Sequence, residues 1–228
     1  MPNLFIATGN THKIQEIRAV LGPRFVCLGQ NDANAQLTVN ETGRTFGENA
    51  LLKAVTWAAY LGIDLCDLGV EWVLADDSGL EVDALGGAPG VHSARFAALD
   101  SGLSGNSSDS ENSAKLLRLL AAVPAAKRTA RFRCVLALTR ICPGATLDEL
   151  ATNTRTFDGT CEGRLQFQPI GDQGFGYDPL FVPTGHETSF ATLGEIVKND
   201  VSHRGSALKK LSAWFALATP ASALLPPA

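Results

Sequence analysis

The 228-residue chain has no run of about 20 apolar residues, the length a membrane-crossing helix needs. Its first residues, MPNLFIATGN, lack the basic stretch and apolar core of a secretory leader. A cytoplasmic protein with no membrane partner is therefore expected. Cysteine is sparse: Cys27, Cys66, Cys134, Cys142 and Cys161 form no C-x-x-C pair, and the four histidines complete no zinc spacing. Reduced, mostly buried thiols are expected rather than a disulfide or zinc framework. Basic residues gather into no dense stripe and the net charge is −4, which argues against a nucleic-acid polymer as partner. Internal repeats and a domain-separating linker are also missing. One domain over residues 1–219 is expected, followed by a frayed, proline-bearing tail at 220–228.

What is present is a globular composition, 45% apolar and 18% charged. LFIAT (4–8) reads as a buried strand entering a Gly9-Asn10 turn. A helix capped by Thr11 should follow, apolar at Ile14, Ile17, Val20 and Leu21 and stopped by Gly22-Pro23. Residues 46–62 form a second helix closed by Gly62, and 71–75 a core strand running into Asp76-Asp77-Ser78-Gly79. A Gly-Ser loop at 100–110 precedes a helix at 111–122. Residues 131–140 read as a strand, 154–167 as further strands around glycine-marked bends, and 202–218 as a closing helix capped by Ser202. Interleaved strands and helices place the chain in the α/β class.

Four polar clusters sit at the expected ends of elements. Thr8, Gly9, Asn10, Thr11, His12 and Lys13 combine donors with a helix N-terminus, a setting for phosphate or merely a helix start. Asn49 and Lys53 are four apart on one helix face, with Glu41 in the polar stretch before it. Asp76 and Asp77 place two charges beside a buried strand, which a turn or a hard divalent cation would explain. Phe175, Gly176, Tyr177 and Asp178 set aromatics among glycines, and Lys198, His203 and Arg204 precede the last helix. Rings there could stack on a base or plug the core.

Five stretches in order, ATGNTHKIQEI, ETGRTFGENALLKA, ADDSGLEVDALGGAPGVHSARF, GFGYDPLF and SHRGSAL, span residues 6–208 and closely resemble the inosine triphosphate pyrophosphatase family. The resemblance implies an elongated mixed sheet flanked by helices, two lobes with a central cleft, and a homodimer. It implies hydrolysis of non-standard purine nucleoside triphosphates (ITP, dITP, XTP) to the monophosphate and pyrophosphate. Thr8 to Lys13 would hold the triphosphate, Ser78 would touch substrate, and Phe175 to Asp178, Lys198, His203 and Arg204 would hold base and sugar. Asp77 would be the base, aided by Lys13 and Lys53, with Mg²⁺ on Glu41, Asp77 and Asp76. Val197, His92 and the length of 62–72 depart from the family pattern. Rival readings are a pyrophosphatase for modified pyrimidine nucleotides, an aspartyl-nucleophile phosphatase, and a nucleotide-binding protein without catalysis.

Overall fold

The computed structural model describes residues 1–33, 37–64, 69–102 and 105–218. Cys66, part of the Gly-Ser loop and the tail at 220–228 lie outside them. The described strands form one mixed sheet in the order β2-β1-β3-β4-β5-β6. They are β1 (Asn3–Ile6), β2 (Val26–Leu28), β3 (Trp72–Val82), β4 (Thr129–Arg140), β5 (Arg155–Leu165) and β6 (Phe181–Pro183). β1 runs parallel to β2 and β3, and the remaining pairs are antiparallel. The α/β expectation holds.

The helices are α1 (Thr11–Leu21), α2 (Phe46–Asp64), α3 (Ala98–Ser101), α4 (Asp109–Leu119), α5 (Leu147–Thr152), α6 (Phe190–Leu193), α7 (Glu195–Val201) and α8 (His203–Ala218). α1 starts one residue earlier in cap than expected. Asn10, not Thr11, is its cap, and the Asn10 side chain accepts from the Lys13 amide at 3.1 Å. α2 does not close at Gly62 but continues to Asp64, because Gly62 is buried against Pro143 and keeps helical geometry. α4 begins at Asp109, where Ser108 and Glu111 form a reciprocal capping box. Ser202 caps α8 as expected, its hydroxyl accepting from the Gly205 amide.

Two strands run unbroken where the sequence suggested an end or a bend. β5 passes straight through Gly159 and Gly163 instead of bending at them. The missing side chain at Gly159 admits α8: a Cβ there would lie 1.9 Å from the His203 carbonyl oxygen. β3 continues through Asp76-Asp77-Ser78-Gly79 to Val82, so the two carboxylates lie inside an eleven-residue strand rather than at its mouth.

Apolar residues sort by face. Phe5, Ala75 and Ala137 pack under α2 with Trp57 and Leu61. Leu4, Leu74, Leu136 and Leu138 pack under α1 and α8 with Ile17, Leu208 and Leu211. A third cluster, around Leu80, Phe132, Leu116 and Phe181, fills the far half of the sheet. Among the described residues, no helix is long and apolar enough to cross a membrane.

Candidate active site

β1 ends at Ile6 while β3 runs on to Val82, so part of one β3 edge loses its neighbour. Along that edge the Leu74 carbonyl takes the Ala7 amide, the Asp76 carbonyl takes Lys53 Nζ at 2.8 Å, and the Leu80 amide donates to Ser93 Oγ. Between the last two contacts lies Ser78, on the stretch of edge facing the α1 turn. Neighbouring residues of a strand point to opposite faces, and this periodicity separates the adjacent acids.

Asp77 faces α2. Asn49 Nδ2 donates to its Oδ2 at 3.1 Å and Lys53 Nζ reaches its Oδ1 at 3.2 Å. The same ammonium donates to Glu41 Oε1 at 2.9 Å, so Lys53 joins both acids. Burial pushes the Asp77 carboxyl above its ordinary range, with the Lys53 charge opposing that rise. Burial pulls the Lys53 ammonium down, but Asp77 and Glu41 more than offset it, leaving its pKa above the usual lysine value.

Asp76 faces the other layer and is 1% exposed. It accepts from Lys13 Nζ at 2.5 Å, Ser78 Oγ at 2.8 Å, Arg204 Nε at 2.9 Å and Cys134 Sγ at 3.2 Å. Burial would raise its pKa, but Arg204 and Lys13 override that and hold the carboxyl well below the usual range. The strand therefore does not bring Asp76 to Glu41 and Asp77. Its oxygens are spent on two cations across the sheet.

The network extends through Glu16, which pairs with Arg204 and lies 2.7 Å from Lys198. Lys198 also meets Asp178 at 2.5 Å. Arg204 is 1% exposed and commits Nε to Asp76, Nη1 to Glu16 and Nη2 to Ser78. It is thus a fixed hub, with three of its five N–H groups bound. Burial raises the Asp178 carboxyl despite Lys198 and the Phe175 amide.

A cavity of about 120 Å³ opens beside Ser78, lined by Asn10, Lys13, Phe175, Tyr177, His203 and Arg204 among others. Phe175 stacks on His12 with ring centroids 5.3 Å apart, and Lys198 Nζ lies 4.5 Å from its centroid. His203 stacks on Phe132 at 4.8 Å, and its Nδ1 is buried without a hydrogen-bond partner. Burial, then Arg204 and Lys198, keep that imidazole neutral. Tyr177 is buried and donates its hydroxyl to the Ser93 carbonyl at 2.9 Å. Gly79 lets this wall approach, since a Cβ there would lie 2.6 Å from the Gly90 carbonyl oxygen. Thr8 Oγ1 accepts from the Asn10 amide, fixing the turn, while Gly9, Thr11 and His12 are exposed around it.

The expected residues therefore form two adjoining groups. Glu41, Lys53 and Asp77 make an acid–lysine cluster on the α2 face. Lys13, Ser78, Phe175, Gly176, Tyr177, Asp178, Lys198, His203 and Arg204 surround the cavity. Glu16 and Asp109 were not singled out from sequence. Glu16 lies three residues after Lys13, a helical neighbour in spacing, and Asp109 follows the capping serine. Among the described residues, no three His, Cys, Asp or Glu side chains converge on a metal position. Half-buried Glu41 and buried Asp77 nonetheless supply hard carboxylate oxygens of the kind that suit a divalent cation.

Fold and site together define an α/β protein with a mixed sheet, an acid–lysine cluster, and a cation-rich aromatic cavity at the uncovered edge of one strand. The comparison with known proteins narrows this: the chain belongs to the Ham1 family, whose sequence profile matches residues 4–214. It is 43% identical over 210 residues to the dITP/XTP pyrophosphatase of Desulforamulus reducens, covering 91% of this chain and 92% of that one. It is 46% identical over 216 residues to the dITP/XTP pyrophosphatase of Exiguobacterium sibiricum, with 92% and 95% covered. The solved HAM1 protein of Coxiella burnetii superposes with a TM-score of 0.75 at 34% identity, covering 95% of this chain and all (100%) of that one.

Proposed function

We propose that this chain hydrolyses ITP, dITP and XTP to the monophosphate and pyrophosphate. The observation that carries the reading is the adjacency of Asp77 and Ser78. One points into the acid–lysine cluster, and the next lines the aromatic cavity. A nucleotide lying along the open β3 edge would set its phosphates by Asp77 and its ring beside Phe175. The names of the relatives, dITP/XTP pyrophosphatase, support the same substrate class.

In the reaction, Asp77 accepts a proton from a water whose oxygen bonds to the α-phosphorus, and the bond from that phosphorus to the bridging oxygen breaks. A carboxyl raised by burial is closer to the operating pH, which suits a general base. Lys53 stays charged and holds Asp77 and Glu41 in register. Lys13 and the amides at the α1 N-terminus face the phosphates. Mg²⁺ on Glu41 and Asp77, when bound, supplies charge neutralisation at phosphate oxygens. Asp76 anchors Lys13 and Arg204 instead of binding metal.

The homodimer, the cytoplasmic location and the single catalytic unit over 1–219 rest on the resemblance and on sequence composition. The reading is tested by supplying ITP and ATP separately with Mg²⁺ and assaying pyrophosphate and orthophosphate. Pyrophosphate from ITP, little turnover of ATP, and loss of activity in Asp77→Asn support it. Orthophosphate as first product would favour an aspartyl phosphatase, and equal use of ATP would remove the substrate assignment.

A further inference from the structure

Asp109 opens α4 but does not cap it, since Ser108 and Glu111 satisfy the capping box. Its Oδ2 instead accepts from the Gly176 amide at 2.6 Å, 67 residues away, so α4 is tied to the turn that carries Phe175 and Tyr177. Asp109 lines the same cavity as Ser78, Lys198, His203 and Arg204. The other lining carboxylate, Asp178, is ion-paired to Lys198 and 2% exposed. Neighbouring Asn112 is saturated: Ala97 N donates to its Oδ1 and its Nδ2 faces the Ala94 and Ser107 carbonyls. Asp109 is exposed, and no ion pair ties it to a cation among the described residues.

From this geometry we infer that Asp109 is a specificity-determining residue that accepts the ring N1–H of the purine. The inference rests on the proposed purine triphosphate hydrolysis and assigns it an edge-reading group. Phosphates carry no donors and repel a carboxylate, so a carboxylate in this lining must meet the base or the sugar. Hypoxanthine and xanthine present N1–H as a donor, while adenine presents N1 as a lone pair. A carboxylate therefore accepts from the first two and repels the third. This gives Asp109 a discrimination separate from Arg204, three of whose five N–H donors bind Asp76, Glu16 and Ser78. Guanine also carries N1–H, so Asp109 does not reject it.

The test compares wild type, Asp109→Ala and Asp109→Asn in kcat/KM for ITP, dITP, GTP and ATP, with IMP and AMP affinities by calorimetry. Loss of a hydrogen bond to a charged acceptor of this kind changes selectivity by about 10- to 100-fold. Asp109→Ala should lower the ITP:ATP ratio by that factor, through KM, with GTP falling alongside ITP. Asp109→Asn offers adenine a donor, so ATP use and AMP affinity should rise. Asp109→Asn also retains an acceptor for the Gly176 amide, and decides the matter if the alanine variant fails to fold. Ratios within twofold of wild type in the folded variants overturn the inference. So does a change in ITP:dITP with ITP:ATP constant, which would move Asp109 to the ribose. Wild type inactive on ITP would remove the proposed activity alone, and the IMP:AMP affinities would still judge Asp109.

Discussion

Replacing Asp76 and Asp77 separately by Asn should produce opposite outcomes, because consecutive residues of β3 serve different layers. The Asp76 carboxylate is 1% exposed and binds Lys13 at 2.5 Å and Arg204 at 2.9 Å. Removing one charge of such a buried network leaves cations uncompensated, a loss of about 3–5 kcal/mol. Asn keeps one acceptor oxygen, so the lower end applies. For a chain of this length ~3 kcal/mol corresponds to a fall in Tm of roughly 6–12 °C. Asp77 is the reverse case. Burial raises its pKa, so its ionised form weakens the fold at neutral pH. Asp77→Asn should hold Tm within a few degrees of wild type while turnover disappears. Thermal unfolding followed by circular dichroism, with pyrophosphate release on the same samples, reads both. An Asp76→Asn protein as stable as wild type, or an Asp77→Asn protein that unfolds early, would refute the division of labour.

Further outcomes follow from the packing and from His203. Gly159→Ala should destabilise by about 4 kcal/mol or prevent folding, since the added Cβ meets the His203 carbonyl oxygen at 1.9 Å; urea titration checks this. The His203 imidazole is held neutral by burial and by Arg204 and Lys198, whereas the unfolded chain titrates near pH ~6.5. Below that pH the unfolded state binds the extra proton, so this contribution to stability is lost as pH falls, by about 1 kcal/mol between pH ~7 and ~5.5. Asp77 and Asp178, raised by burial, take up protons in the folded state and oppose the trend. Urea titration of wild type and His203→Phe at both pH values isolates the histidine part, and equal slopes in the two proteins would contradict it.

Sequence patterning exposed much of this architecture. Helical spacing over Ile14, Ile17 and Leu21 placed α1, and apolar runs placed β1, β4 and the start of β3. The end of β3 was hidden because Asp, Ser and Gly are turn formers, and only pairing with β4 as far as Ala130 keeps them extended. Once that stretch is a strand, a period of two separates Asp76 from Asp77, yet adjacency in sequence suggested a shared metal. Glycines in β5 resembled bends because the helix they admit lies more than forty residues on. Lys13, Lys53, Phe175, Lys198, His203 and Arg204 were legible as chemical types at element ends. Their couplings were not: Glu16 joining Arg204 to Lys198, and Asp109 reaching Gly176, are long-range contacts that no local pattern encodes.

The chemistry at Asp77 is read most directly by hydrolysing ITP in ¹⁸O-labelled water and analysing both products by mass spectrometry. Attack at the α-phosphorus puts one labelled oxygen in the monophosphate and leaves pyrophosphate unlabelled. Label in pyrophosphate, or in orthophosphate released first, would mean that water attacks another phosphorus and that Asp77 does not serve the α-position.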